Sequence, residues 1–444
     1  MGKTLVPVPG TCSVVIPAAR RSDCDAFFPT VAPTGTVAKL HHLARHCDAS
    51  RRGLLPKRDG KSETPVHTHA GFPGLGLCFE TEGKTMKKVL FATTALIATA
   101  SVAAADVRLS GYGRFGLDYN EANKNVVGRS ETNITSRLRL QFDMSAETDG
   151  GVGFNARYRA QAESRDGVAG GAVFNGARFG VTYGGLLVNV GNILGAIDNA
   201  PGLYATGTRS AGTGIDGQGF QSLAIKSLTV NAGGTWTGGT RFNFDNYDST
   251  GAGSNGVEAL YTVGGFTGHI SYSQRNGGTV AGSAGGEERT AIMLTYSFGD
   301  YYVTGAYQGA DNTATVTAAN GTVFDPNDGL YFLAAGADWG QFGAKVAYGS
   351  TDVADSVTVE GNFDLGAASN ILVWVNSTDV DSALTAAANG TAAGTLGAAA
   401  NGMDGTSFGI NYQYDLGGGA TFVAGATESA ADNTEVQAGV YFSF

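Results

Sequence analysis

The sequence predicts an all-β fold, a transmembrane antiparallel up-and-down β-barrel. Three observations carry that prediction. From Asp106 onward, segments of about ten residues alternate polar with apolar side chains, the period of a strand with two different faces. The connections alternate between tight glycine-rich turns and long polar stretches, as in a barrel whose two ends differ. The same region has no cysteine and no run of 18 apolar residues, so neither disulfides nor an α-helical span can hold it.

Averages over the 444 residues, with a net charge of −10, hide a break in composition. Residues 1–85 hold all four cysteines, five of the six histidines and eight of the ten prolines. They show little apolar periodicity and read as a non-structural upstream extension from an over-long start. Cys24, His41, His42, His46, Cys47 and Cys78 are zinc-ligand types, but they do not make the combined C-x₂-C and H-x₃₋₅-H set of a zinc module.

Met86 to Ala105 has the order of a secretory signal peptide. Lys87 and Lys88 give the positive start, Val89 to Ala100 the short apolar run, and Ala103 to Ala105 the small-residue exit. Cleavage is expected before Asp106. From there the chain holds 59 of the 68 glycines, and 16 Lys and Arg against 32 Asp and Glu, a net charge near −16. That acidic balance argues against a nucleic-acid partner.

The strands then follow in order. In the second, Arg137, Arg139, Gln141 and Asp143 share one face, and Leu138, Leu140, Phe142 and Met144 the other. Thr148 to Gly151 is a hairpin turn signal. Past it, Asn155, Arg157, Arg159, Gln161 and Glu163 alternate with Phe154, Ala156, Tyr158, Ala160 and Ala162. Further hairpins are expected at Val257–Val263 with Phe266–Tyr272, Ala291–Phe298 with Tyr301–Tyr307, Leu330–Trp339 with Phe342–Tyr348, and Phe408–Leu416 with Ala420–Ala426. Long polar stretches separate them, such as 309–329 and 379–406. A single-chain bacterial barrel has an even strand count. Sixteen is expected, or eighteen if the irregular segment Gln221 to Val230 crosses as a strand. Trp339, Trp374 and tyrosines near strand ends fit interfacial aromatic belts.

The ending Val440-Tyr-Phe-Ser-Phe444 and the opening Asp106-Val-Arg-Leu-Ser-Gly-Tyr-Gly-Arg-Phe-Gly116 resemble the general porins of Gram-negative bacteria, most of all the alphaproteobacterial group. Phe442 and Phe444 resemble the C-terminal signal read by the outer-membrane assembly machinery. The resemblance implies a sixteen-stranded homotrimeric barrel in outer-membrane lipid, a third extracellular loop folded into the lumen, and passive diffusion of small hydrophilic solutes and ions.

Four successive strands place Arg114, then Arg137 and Arg139, then Arg157 and Arg159, then Arg178 on the inferred inner face. On a lipid face each would cost about 2–4 kcal/mol near the midplane, so they are expected to line water as a basic wall. Under the resemblance, the segment from Gly195 through Gly219 is the constriction loop, and Asp198 and Asp216 supply the acidic side. The alternative is that the arginines form barrel-wall salt bridges with Glu163, Asp143 and Asp118.

Other chemistry is thin. His269 falls in a strand, and one histidine leaves no Ser/His/Asp set, so an enzyme is not expected. No cofactor is expected, and no glycine pair precedes a Lys-Ser/Thr to cradle phosphate. Asp311, Asp325 and Asp328 share a loop in which Ca²⁺ binding competes with simple solvation. The competing function is an outer-membrane adhesin or receptor that binds a partner through its long loops.

Overall fold

In the computed structural model, the described residues are 105–124, 126–165, 168–205, 224–231, 233–239, 242–274 and 286–444. The 1–85 extension, the signal segment up to Ala104 and Asp216 lie outside them. The chain divides into residues 1–80 and 81–444, and every described residue belongs to the second part.

β1 (Asp106–Asn120), β2 (Thr132–Glu147) and β3 (Gly153–Arg165) open the barrel. β4 runs in two pieces, Val168–Phe174 and Arg178–Tyr183, both paired with β3. At the break Asn175 fills in for the ladder, its side-chain oxygen accepting from the Arg159 backbone N–H at 2.6 Å. β5 (Leu186–Gly191) is short. Then come β6 (Gly256–Val263), β7 (Phe266–Gln274), β8 (Glu288–Phe298), β9 (Tyr301–Asp311) and β10 (Leu330–Asp338). β11 (Phe342–Ser350), β12 (Ala354–Asp364), β13 (Ser369–Val380), β14 (Gly405–Gly417), β15 (Ala420–Glu428) and β16 (Thr434–Ser443) complete the set.

Each strand pairs antiparallel with the next, and β16 returns to β1 in register from Tyr112↔Ser443 to Asn120↔Glu435. Closure leaves no edge facing hydrocarbon. All five predicted hairpins are present. The count is sixteen, and the eighteen-stranded alternative is not found. Ser227–Val230 pairs instead with Trp236–Gly239 in a separate ribbon. Ser227 and Leu228 are consecutive and both fully buried, so that segment has no lipid face to offer a barrel.

Both ends of the barrel chain meet the short turns. Gly111 and Phe444 exchange backbone hydrogen bonds of 2.9 and 3.0 Å across the seam. A Cβ on Gly113 would lie 2.3 Å from the Phe442 ring, so glycine is what lets that ring lie flat over β1. Gly184 and Gly185 both take positive φ, 56° and 86°, the two-residue turn that suits twisted strands.

The outer face is apolar. Leu109, Phe115, Leu117, Ile134, Leu333, Val359 and Ile410 all stand exposed, as lipid-facing positions do in a single chain. Aromatic rings gather outward near the short-turn end: Phe266 on Tyr296, Phe298 on Tyr301, and Tyr301 on Trp339. Trp374 does not join this belt. Its position shares a face with buried Leu372 and Asn376, so the ring points inward. Strand parity sets that direction, whereas aromatic character alone does not.

Two apolar clusters lie inside the ring of strands. In one, Ile197, Ala200, Leu203 and Ile225 from the loop after β5 pack on inward Ala291, Met293, Ala306, Phe332, Ala334 and Ala347. Small inward side chains on β8 to β11 leave room for the loop to dock. In the other, Leu228 of the ribbon packs with Val316, Phe324, Leu384, Leu396 and Met403 from the long connections after β9 and β13, and with Val353 from the short turn after β11. No helix among the described residues is long and apolar enough to cross a membrane.

Candidate pore constriction

The six arginines fall on one continuous inward surface. Period-2 geometry puts Arg114, Arg137, Arg139, Arg157, Arg159 and Arg178 on the face opposite Phe115, Leu138 and Phe154, which are exposed outward. The registers align them: Arg114 faces Arg137 across β1 and β2, and Arg157 faces Arg178 across β3 and β4.

Of the expected counter-charges, Glu163 and Asp143 pair with arginines of the wall. Arg137 pairs with Glu163 at 2.7 Å and Arg157 with Asp143 at 2.5 Å. Arg139 and Arg159 instead donate to amide oxygens, of Gln161 at 2.6 Å and Gln141 at 2.8 Å. The wall is thus part salt bridge and part net-positive surface. Its tyrosines stack beneath the guanidiniums: Arg139 lies 4.9 Å from the Tyr112 ring centre, and Arg159 and Arg178 lie 4.5 and 5.2 Å from that of Tyr247.

Tyr247 belongs to the loop after β5. That loop extends from Asn192 to Asn255, well past the expected Gly219, because the ribbon lies within it. Its first turn is tied to β6 and β7. Glu258 accepts from the Gly195 N–H at 2.8 Å and from the Asn189 amide at 2.7 Å, and lies 3.2 Å from His269 Nε2. Ser271 accepts from the Ala196 N–H at 3.0 Å, and Asn199 meets His269 Nδ1 at 3.3 Å. Further along, Lys345 donates to the Tyr204 carbonyl at 2.6 Å and pairs with Glu360 at 2.8 Å.

The return limb is anchored twice. Asp245 holds Arg289 at 2.6 Å and Ser273 at 2.8 Å. Asn175 and Asn192 donate to the Asp248 carbonyl, and Ser249 accepts from Arg159 at 3.0 Å. The loop therefore leaves the wall at β5, docks on β8 to β11, and comes back to the arginines.

Asp198 sits in the docked first part and accepts from the Tyr204 hydroxyl. Burial pushes its carboxyl up to about 6, against the opposing pulls of that hydrogen bond and of Arg159. Burial and the neighbouring Asp198 raise the Tyr204 phenol, which stays protonated and keeps donating. Asp216, the other expected acid, lies outside the described residues. No group of three or more metal-ligand side chains occurs among the described residues, so Asp311, Asp325 and Asp328 do not gather around an ion site.

The anchoring residues Glu258, His269, Asp245, Arg289, Lys345 and Glu360 were not singled out as functional from sequence. A signal existed in part. Glu258, Arg289, Lys345 and Glu360 are charged residues at inward strand positions, but period-2 reading cannot say which loop each would hold.

A closed barrel with a polar inner wall and a loop folded through its lumen defines a membrane channel protein. The chain belongs to the Gram-negative porin family, whose sequence profile matches residues 92–434. It is 29% identical over 351 residues to a porin of Fuscovulum blasticum, covering 76% of this chain and all of that one. It is 28% identical over 348 residues to a porin of Rhodobacter capsulatus, again over the whole of that protein. Among solved structures, variants of Rhodopseudomonas blastica porin superpose with a TM-score of 0.54 at 24% identity, covering 76% of this chain and all of theirs, a likeness of fold. The protein is an outer-membrane porin that forms a channel for passive diffusion of small hydrophilic solutes and ions. Family membership favours this over the adhesin or receptor alternative.

Proposed function

We propose that Arg114, Arg137, Arg139, Arg157, Arg159 and Arg178 form the basic wall of the pore constriction, faced by Asp198 and Asp216 of the loop after β5. Opposed charges would set a transverse field at the narrowest point, which orients polar solutes and filters them by charge and size. The observation that carries this reading is Tyr247, a loop residue lying under both Arg159 and Arg178. The barrel works as a homotrimer through its apolar outer face, and reaches the outer membrane after a signal peptide ending at Ala105 is removed. Residues 1–85 are not part of the working protein. Phe442 and Phe444 serve as its assembly signal, and no catalytic group or cofactor is assigned.

The test is ion selectivity in planar bilayers. Reversal potentials across a KCl gradient are compared for Arg157→Ala with Arg159→Ala, and for the exposed loop control Arg129→Ala. The double variant should shift toward cations, and the shift should shrink at high salt, where the Debye length falls to about 3 Å at 1 M. An unchanged potential in a folded, conducting double variant would take these residues out of the constriction.

A further inference from the structure

β2 and β3 carry the same inward pattern, Arg-x-Arg-x-Gln-x-acid. On β2 it is Arg137, Arg139, Gln141 and Asp143; on β3 it is Arg157, Arg159, Gln161 and Glu163. Antiparallel pairing lays one copy head-to-tail on the other. The rungs become Arg137–Glu163, Arg139–Gln161, Gln141–Arg159 and Asp143–Arg157.

The outer two rungs are the ion pairs of 2.7 and 2.5 Å. The inner two are guanidinium-to-amide hydrogen bonds of 2.6 and 2.8 Å. Each glutamine also donates its amide nitrogen to the acid two positions on, Gln141 to Asp143 at 2.7 Å and Gln161 to Glu163 at 3.1 Å. The amide orientation follows from its neighbours: oxygen toward arginine, nitrogen toward carboxylate. A glutamine there orders the arginine side chain without cancelling its charge. Four guanidiniums against two carboxylates leave the ladder at a net charge of +2, placed on the inner rungs. Arg139 and Arg159 are diagonal neighbours, whose backbones stand about 7–8 Å apart.

We infer that Gln141 and Gln161 are specificity-determining residues of the channel. They keep Arg139 and Arg159 as an uncancelled cation pair for small solutes bearing a carboxylate or phosphate, while Arg137 and Arg157 are held as structural ion pairs. This rests on the proposed constriction. A glutamate at either position would turn an inner rung into a third or fourth ion pair with almost no change in side-chain volume.

The experiment measures the chloride-to-potassium permeability ratio of the full barrel in planar bilayers at low salt, with inorganic phosphate added as a second probe anion. Gln141→Glu with Gln161→Glu should lower the ratio by about fivefold, the factor for one unit-charge interaction at about 4 Å in bulk water, and should weaken the effect of phosphate on the current. Asp143→Asn with Glu163→Gln should raise the ratio. Gln141→Met with Gln161→Met, which keeps the charge and loses only the hydrogen bonds, should leave the ratio near that of the parent. If Arg139→Ala with Arg159→Ala moves the ratio but the glutamate pair does not, this inference fails and the constriction stands. If neither moves it, the constriction itself fails. Should the glutamate pair not assemble, the Asp143→Asn and Glu163→Gln pair decides alone, and an unchanged ratio there overturns the inference. A methionine pair that shifts the ratio as far as the glutamate pair would also overturn it, since the glutamines would then act through packing.

Discussion

Replacing Glu258 with alanine should free the start of the loop after β5 without opening the barrel. The Glu258 carboxylate accepts from the Gly195 N–H at 2.8 Å and the Asn189 amide at 2.7 Å, and faces His269 Nε2 at 3.2 Å. Hydrogen bonds to a charged group are worth about 1.5–3 kcal/mol each. Asn189 lies on β5, so only the Gly195 bond ties the loop to Glu258, and it stabilises docking by about 1.5–3 kcal/mol. At about 1.4 kcal/mol per factor of ten, its loss lowers the docking equilibrium of this turn by roughly 10 to 10². The rest of the loop keeps its hold. Ile197 and Leu203 stay buried on Phe332 and Ala334, each contributing about 1.5–3 kcal/mol, and Lys345 still reaches the Tyr204 carbonyl. None of the barrel registers passes through the Glu258 side chain, so strand pairing survives. Single-channel recordings should show larger conductance and more open-channel noise, with Glu258→Gln intermediate because its amide oxygen still accepts. Parent-like conductance and noise in a folded Glu258→Ala channel would refute the reasoning.

Three further outcomes are expected. Asp198, with its carboxyl raised to about 6, is mostly ionised at pH 7 and mostly neutral at pH 5. A raised carboxyl favours the docked loop most fully below its ordinary value near 3.8, and this contribution is lost as the pH rises through about 6. Between pH 7 and pH 5, reversal potentials should therefore shift toward anions, and Asp198→Asn should remove most of that shift; a shift of parent size in the variant counts against it. Gly113→Val would drive its side chain into the Phe442 ring at the β1–β16 seam, so thermal unfolding of the barrel should begin at lower temperature, while Gly150→Val, in an exposed turn where a Cβ would meet nothing closer than 3.9 Å, should leave the seam intact; equal melting of the two variants would oppose the seam argument. Protein purified from outer membranes should begin at Asp106 and cross-link as a trimer, and N-terminal sequencing that finds Met1, or cross-linking that yields only monomer, would overturn the corresponding part of that proposal.

The alternation of side chains along each strand was fully legible, because a strand's two faces follow from its backbone geometry and need no knowledge of neighbours. That is why Arg137, Arg139, Arg157 and Arg159 fall on one face, and why the sequence shows the hairpins at 264–265 and 299–300 and, one residue early at 417–418, the one before Ala420. Strand number was legible only to within one pair. Gln221 to Val230 has strand-like composition, but Ser227–Val230 turns back on Trp236–Gly239, and the burial of Leu228 depends on connections distant in sequence. The tertiary structure alone decided how the arginines are countered. Register, not composition, sets Arg139 opposite Gln161 and Arg137 opposite Glu163. It alone gave His269 a role, since the imidazole bridges Glu258 on β6 and Asn199 in the loop, 70 residues away from the latter. It also turned Trp374 inward. A barrel strand carries its own instructions about which way each side chain points, whereas a loop that crosses the lumen is placed by whatever the opposite wall offers, and that offer is made by strands far along the chain.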